Sequence, residues 1–173
     1  VYDSYKNNPK QFVDRINSYG LNKPLGLPIK GEGKPVIPQP GTNRWSGVAL
    51  PWMAFGYGLS VTPLQTLTLY NAVANDGVMV KPIFVSEIKE WNKTIKKFNT
   101  EVINPKICSQ ETLDKVQAVL ENVVKRGTGS KLYSKDFSMA GKTGTAQVNY
   151  KDKSKLYYAS SFVGYFPADE PKY

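Results

Sequence analysis

Histidine is absent from the 173 residues, and cysteine occurs once, as Cys108. Without histidine the chain holds no histidine-based triad and no catalytic zinc site of the usual histidine type. A single cysteine excludes an internal disulfide framework. Beside Ile107, Cys108 reads as a small apolar packing residue, not a reactive thiol. No apolar run approaches the ~20 residues of a membrane span, and the N-terminus has no signal-peptide pattern. The opening Val1-Tyr2-Asp3 reads as a cut inside a longer chain.

Acidic residues are scarce: 14 Asp and Glu stand against 23 Lys and Arg, for a formal net charge of +9. Such an excess can serve a polyanionic partner. Here the basic residues are scattered, and the densest group, Lys93, Lys96 and Lys97, lies beside a probable turn. They read as a solvated face, with no nucleic-acid signature and no nucleic-acid partner expected. Hydrophobic residues make up 40% and charged residues 21%, as in an ordinary globular protein. The length suffices for one domain with a core.

Periodicity supplies the elements. Residues 8–20 predict a helix: Asn8 at the cap, Pro9 at the first position, Phe12, Val13, Ile16 and Tyr19 on one face, Gly20 as the stop. Residues 22–51 carry six prolines and Gly31-Glu32-Gly33, which predicts a long irregular segment. A loop of that length implies function, or packing against other parts of a larger protein. Thr62-Pro63-Leu64-Gln65 is a capping box that opens a helix over 62–76, with Leu64, Leu67, Tyr70, Val73 and Ala74 as its apolar stripe and Gly77 as its end. Residues 83–91 and 94–98 predict two strands about Asn92-Lys93. A helix follows over 109–126, with Leu113, Val116, Leu120, Val123 and Val124 on one face, broken by Gly127-Thr128-Gly129. Residues 138–148 and 157–166 predict two strands joined by a polar connection over 149–155. The fold class expected is α+β, with helices packed on an antiparallel sheet.

One segment carries chemistry: Gly141-Lys142-Thr143-Gly144-Thr145-Ala146-Gln147. A phosphate-binding loop would need glycine where Asp136 stands and a helix after Thr143, yet Gly144 interrupts and Thr145-Ala146-Gln147-Val148 reads as extended. The other reading is the Lys-Thr-Gly strand of penicillin-recognising serine acyltransferases. Lys142 would supply positive charge. Alternation puts the Thr143 and Thr145 hydroxyls on one face. Gly144 lets a substrate lie against the backbone, where an N–H can serve as an oxyanion donor worth a few kcal/mol. The tripeptide alone marks no more than a turn; its surroundings decide.

The surroundings are Phe55-Gly56-Tyr57-Gly58-Leu59-Ser60-Val61-Thr62-Pro63-Leu64-Gln65, then Asn71-Ala72-Val73-Ala74-Asn75-Asp76-Gly77 with Lys81-Pro82, then Val124-Lys125-Arg126-Gly127-Thr128-Gly129, and Phe162-Val163-Gly164-Tyr165-Phe166-Pro167-Ala168. In this order they resemble the C-terminal half of a class B penicillin-binding protein transpeptidase domain, closest to its cell-division branch. The resemblance implies that residues 1–173 are part of one such domain, with the serine β-lactamase-like fold. It also implies a D,D-transpeptidase that cross-links stem peptides through a serine acyl-enzyme and is acylated by β-lactams. Lys142, Thr143, Gly144 and Thr145 would then bind substrate, with Lys142 in the proton network and the Thr145 backbone N–H in the oxyanion site. The implied partners are peptidoglycan stem peptides, β-lactams and cell-division envelope proteins; no metal or cofactor is implied. The implied place is the outer face of the cytoplasmic membrane, through an N-terminal anchor outside this chain.

The family nucleophile sits in Ser-x-x-Lys, and the one match is Ser86-Glu87-Ile88-Lys89, in a predicted strand. Residues three apart on a strand face opposite ways, so this pair is rejected. Ser-x-Asn is absent. The expectation is therefore an enzyme portion without its nucleophile, inactive alone and exposing apolar surface. The competing reading is a non-catalytic envelope-binding or scaffold module of the same fold. Tyr57, Tyr150, Tyr157 and Tyr158 read as packing aromatics before a peptide groove. Glu32 and Asp76 lack a partner carboxylate and receive no acid–base role.

Overall fold

The computed structural model describes residues 1–149 and 156–173. Its helices are α1 (Tyr2–Tyr5), α2 (Pro9–Ser18), α3 (Ala49–Met53), α4 (Pro63–Ala74) and α5 (Gln110–Arg126). Its strands are β1 (Met79–Val80), β2 (Glu87–Glu90), β3 (Lys93–Lys97), β4 (Val102–Asn104), β5 (Ala140–Val148) and β6 (Tyr157–Tyr165). They form three antiparallel pairs, β1 with β4, β2 with β3, and β5 with β6. The expected α+β class is met, with α5 packed on β5 and β6. The chain divides into two compact units, Val1–Thr66 with Lys81–Glu101 and Leu67–Val80 with Val102–Tyr173.

In the first unit, α2 begins at Pro9 as expected, and Gly20 closes it in the left-handed region at φ 75°. Asn8 occupies the cap position, but its side chain makes no capping hydrogen bond; its carbonyl accepts from the Gln11 N–H instead. Val13 is fully buried and packs with Ile37 and Met53, flanked by Phe12, Ile16, Trp45 and Leu59. The proline-rich segment is irregular but tied down. The Glu32 carboxylate accepts from the backbone N–H groups of Leu25 and Leu27, folding the chain around Gly26, which sits at φ 68°. This is a structural role for Glu32. Val36 and Ser60 exchange backbone hydrogen bonds of 2.7 and 2.8 Å. The short α3, which composition hid behind Pro51, breaks the irregular run.

The capping box forms as its residues predict. The Gln65 N–H donates to Thr62 Oγ1 at 3.1 Å, and the Thr62 N–H donates to Gln65 Oε1 at 2.9 Å. Gln65 is 1% exposed, and its Nε2 donates to the carbonyls of Lys23 at 2.8 Å and Leu21 at 3.5 Å. One side chain thus starts α4 and anchors the irregular segment. The stripe expected on α4 is met in part: Val73 is in the core, with Tyr70 and Ala74 packed against it. Leu67 is 50% exposed, whereas Gln65, Thr68, Ala72 and Val73 are buried. The Gln65 side chain can be buried because its hydrogen bonds are satisfied, which apolar periodicity cannot register.

In the second unit, α5 is capped by Ser109, whose Oγ accepts from the Thr112 N–H at 3.3 Å. Leu113, Leu120 and Val124 are its buried face, and Leu113 and Leu120 pack with Val73, Ala140 and Tyr165. Ile107 and Cys108 lie against this core, the packing role expected of the cysteine. In the first unit, the strand predicted over 83–91 shortens to β2, and residues 83–86 run outside it. The Ser86 carbonyl still accepts from the Phe98 N–H at 2.9 Å, while Ile83, Phe84 and Val85 line a groove. Ser86 therefore precedes β2, and the Lys89 ammonium pairs with Glu87 at 2.6 Å, an ion pair with its own strand neighbour. The brief β1 and β4 are too short for any sequence pattern to mark.

Gln65→Ala removes a cap acceptor and strands two loop carbonyls, so it should lower stability by about 1–3 kcal/mol. Gln65→Glu keeps the acceptor but loses the donor, and it should not restore wild-type stability. Urea unfolding of the three proteins checks both outcomes.

Candidate active site

The site strand is built by an uninterrupted register. Ala140 lies opposite Tyr165, Lys142 opposite Val163, Thr143 opposite Phe162, Gly144 opposite Ser161 and Thr145 opposite Ser160, as far as Val148 opposite Tyr157. The predicted strand pair is thereby present, although most of the connection expected over 149–155 lies outside the described residues. Tyr150 does as well.

Alternation sorts the strand. Ala140, Lys142 and Gly144 share one face with Tyr165 and Val163; Gly141, Thr143 and Thr145 share the other with Phe162 and Ser160. Ala140 and Tyr165 are buried in the α5 core, which seats the start of β5 firmly. Along the strand exposure rises, and Lys142, Thr145 and Ala146 are open to solvent. Among the described residues β5 pairs only with β6, so its other edge offers unpaired backbone groups.

Glycines let the two strands close. A Cβ on Gly141 would stand 2.4 Å from Phe162 Cζ and 2.7 Å from the Val163 carbonyl oxygen. A Cβ on Gly164 would stand 2.4 Å from the Ala140 carbonyl oxygen. Gly144 differs: the obstacle there is Ser161 Oγ at 2.6 Å, a group that rotates away.

The Lys142 Nζ donates to the Thr143 carbonyl oxygen at 2.8 Å, which lays the ammonium along the strand. Thr143 meets a residue whose role the sequence did not show. Its Oγ1 is 2.6 Å from Thr128 Oγ1. Gly127 and Gly129 both donate their N–H groups to the Val123 carbonyl, at 3.1 and 3.0 Å, folding the loop back over the end of α5. Thr128 between them is held against β5. The Gly-Thr-Gly run was the available signal; it marked a helix break and carried part of the family resemblance, but gave the Thr128 hydroxyl no role.

A second clasp holds the two strand ends. Ser138 Oγ donates to an Asp169 carboxylate oxygen and accepts from the Ala168 N–H at 2.9 Å. The Ser138 hydroxyl, helped by backbone N–H groups, holds the Asp169 carboxyl below its ordinary range.

The other candidates fall elsewhere. Tyr157 and Tyr158 sit on β6, more than half exposed, and Tyr57 packs its ring near Trp52 and Phe55. Asp76 adopts a left-handed φ of 49° in the turn after α4, beside Gly77. No described helix is long and apolar enough to cross a membrane.

An open strand edge bearing an ammonium, two hydroxyls on one face and a glycine between them can receive an extended, carboxylate-bearing ligand. With this geometry in a helix-backed strand pair, the chain belongs to the penicillin-binding protein transpeptidase domain family, whose profile matches residues 4–173. It is similar to stage V sporulation protein D of Bacillus subtilis, at 34% identity over 90% of this chain and 24% of that protein. It is similar to peptidoglycan D,D-transpeptidase FtsI of Escherichia coli, at 29% identity over 93% of this chain and 26% of that one. Among solved structures, penicillin-binding protein 3 of Mycobacterium tuberculosis superposes with a TM-score of 0.79 at 30% identity, over 95% of this chain and 38% of that one. That protein is also known complexed with aztreonam and with ampicillin. The chain spans about a quarter of the length of these curated relatives.

Two outcomes are expected at this hairpin. Gly164→Ala forces a Cβ into a backbone oxygen and should destabilise by about 1–3 kcal/mol, whereas Gly144→Ala should unfold close to wild type; urea midpoints distinguish them. Because the folded Asp169 carboxyl titrates below its unfolded value, its stabilising effect is complete above the ordinary carboxylate range near ~3.9. It is lost as pH falls through the depressed folded value. The gap in urea midpoint between wild type and Asp169→Asn should therefore be constant from neutral pH down to that range and shrink below it.

Proposed function

We propose that this chain supplies one wall of a peptidoglycan D,D-transpeptidase active site. The enzyme's serine attacks the D-Ala-D-Ala stem peptide, D-alanine leaves, and the acyl group passes to an amine of a neighbouring stem. β-Lactams acylate the same serine. The observation that carries this reading is the edge of β5 left unpaired among the described residues, with Lys142 and Thr145 exposed and Thr143 and Gly144 half-buried between them, in a chain of the penicillin-binding family. The aztreonam and ampicillin complexes of the M. tuberculosis relative support a β-lactam ligand.

In this proposal Lys142 supplies positive charge to the ligand carboxylate and the proton network. Thr143 and Thr145 direct hydroxyls to the ligand, and the Thr145 backbone N–H stabilises the developing oxyanion. Gly144 admits the ligand against the strand. The nucleophile comes from outside residues 1–173, since the lone Ser-x-x-Lys match has its lysine in β2, paired with Glu87. Peptidoglycan lies outside the cytoplasmic membrane, so the domain works on that side, where envelope proteins of cell division are its expected partners.

A fluorescent penicillin followed by a denaturing gel tests the division of labour. Residues 1–173 should show no covalent adduct, and a labelled band would refute the assignment of the nucleophile to another part of the protein. In the longer protein, Thr145→Pro deletes the proposed oxyanion donor and should slow acylation by about 10²–10³-fold.

A further inference from the structure

The β2–β3 hairpin is stabilised by little that the structure shows. All five residues of β3 are exposed, and so are three of the four in β2. A two-stranded hairpin open on both faces is marginal in water. At its tip Trp91 is 93% exposed and takes a left-handed φ of 54°, which a bulky side chain adopts only at a cost. At its base lies an apolar groove of about 420 Å³, formed with the loop at Pro28 and Ile29 and lined by Ile83, Phe84, Ile88 and Phe98. Ile29, Ile83, Phe84 and Ile88 are each 45–54% exposed.

The rim of the groove is positive. Its one carboxylate, Glu101, is engaged by Lys81 at 3.3 Å. Lys96 lies opposite Ile88 on the groove face, with its Nζ 4.7 Å from the centroid of Phe98. Lys97 points to the other face of the hairpin, opposite Glu87, and Lys30 follows Ile29. Among the described residues no carboxylate forms an ion pair with Lys30 or Lys96. Apolar walls under unneutralised ammonium groups match a ligand that alternates apolar and acidic side chains. A flat bilayer would not enter a groove set at the base of a hairpin whose tip carries Glu90 and Asn92.

We propose that this groove and hairpin form a docking surface for an acidic, amphipathic segment of another protein. Its apolar side chains fill the groove beside Phe84 and Ile88, its carboxylates meet Lys96 and Lys30, and Trp91 packs against it. The surface shares no residue with β5.

Panning a random dodecapeptide library on the full chain tests this, with the Lys96→Glu variant as counter-selection. Enriched peptides should combine Asp or Glu with spaced apolar residues. The best of them, titrated by fluorescence anisotropy, should bind more weakly as salt rises and about tenfold more weakly to Phe84→Ser and to the charge-reversed variant. Both variants should keep the wild-type unfolding midpoint, because the substituted side chains are exposed. No enrichment, or enrichment of basic or purely apolar peptides, would overturn the proposal. So would Trp91 fluorescence shifting with phosphatidylglycerol vesicles but not with peptide, or concentration-dependent dimerisation abolished by Phe84→Ser. Binding to residues 1–173 that disappears in the longer protein would show the groove covered by its own polypeptide, and would overturn it as well.

Discussion

The nine-residue antiparallel pairing of β5 with β6 is the constraint on which the candidate site rests. It works because glycine stands where the strands come closest. With Gly141 and Gly164 facing each other, Phe162 can lie across the pair, and no Cβ competes with the ring or with the Ala140 carbonyl. At the buried end, Ala140 and Tyr165 lock the pair to Leu113 and Leu120 of α5. At the open end, Lys142 and Thr145 reach solvent with their backbone geometry already set. Rigidity at one end thus permits exposure at the other, which is what a preorganised binding edge requires.

The loops beside this pair are positioned by hydrogen bonds more than by apolar burial. Gly127 and Gly129 share the Val123 carbonyl, so Thr128 is delivered to Thr143 without a hydrophobic anchor of its own. Ser138 ties the entry to β5 to the chain after β6 through Asp169 and Ala168. In the first unit Gln65 and Glu32 do the same for the proline-rich segment, each satisfying two or more backbone groups. Irregular backbone needs such partners because its own groups have no ladder to join.

How much of this was legible follows from the kind of interaction involved. Helices α2 and α5 were legible because their buried faces are apolar and periodic. The capping box was legible because it is local in sequence. The buried face of α4 was legible only in part: Val73, Tyr70 and Ala74 meet the core as expected, but the face also includes Gln65, whose burial depends on hydrogen-bond partners. For Gln65 these lie more than forty residues away, at Lys23. The strand expected over 83–91 was overextended because apolar Ile83, Phe84 and Val85 line a groove where a strand partner was assumed. Of the site, Lys142 to Thr145 stood out as a motif, while Thr128 did not, since nothing in a Gly-Thr-Gly run says what its hydroxyl will meet.

The residues alone determined the family, the α+β class and the two strands, the first of which carries Lys142-Thr143-Gly144. These are properties of local pattern, which short-range sterics and periodicity impose. Tertiary structure alone decided that Thr143 is held by Thr128, that β5 pairs with β6 alone among the described residues, and that exposed apolar residues around Phe84 form a groove beside Lys96. Each of these depends on which distant segments come together, and that is settled by packing and hydrogen-bond satisfaction across the chain.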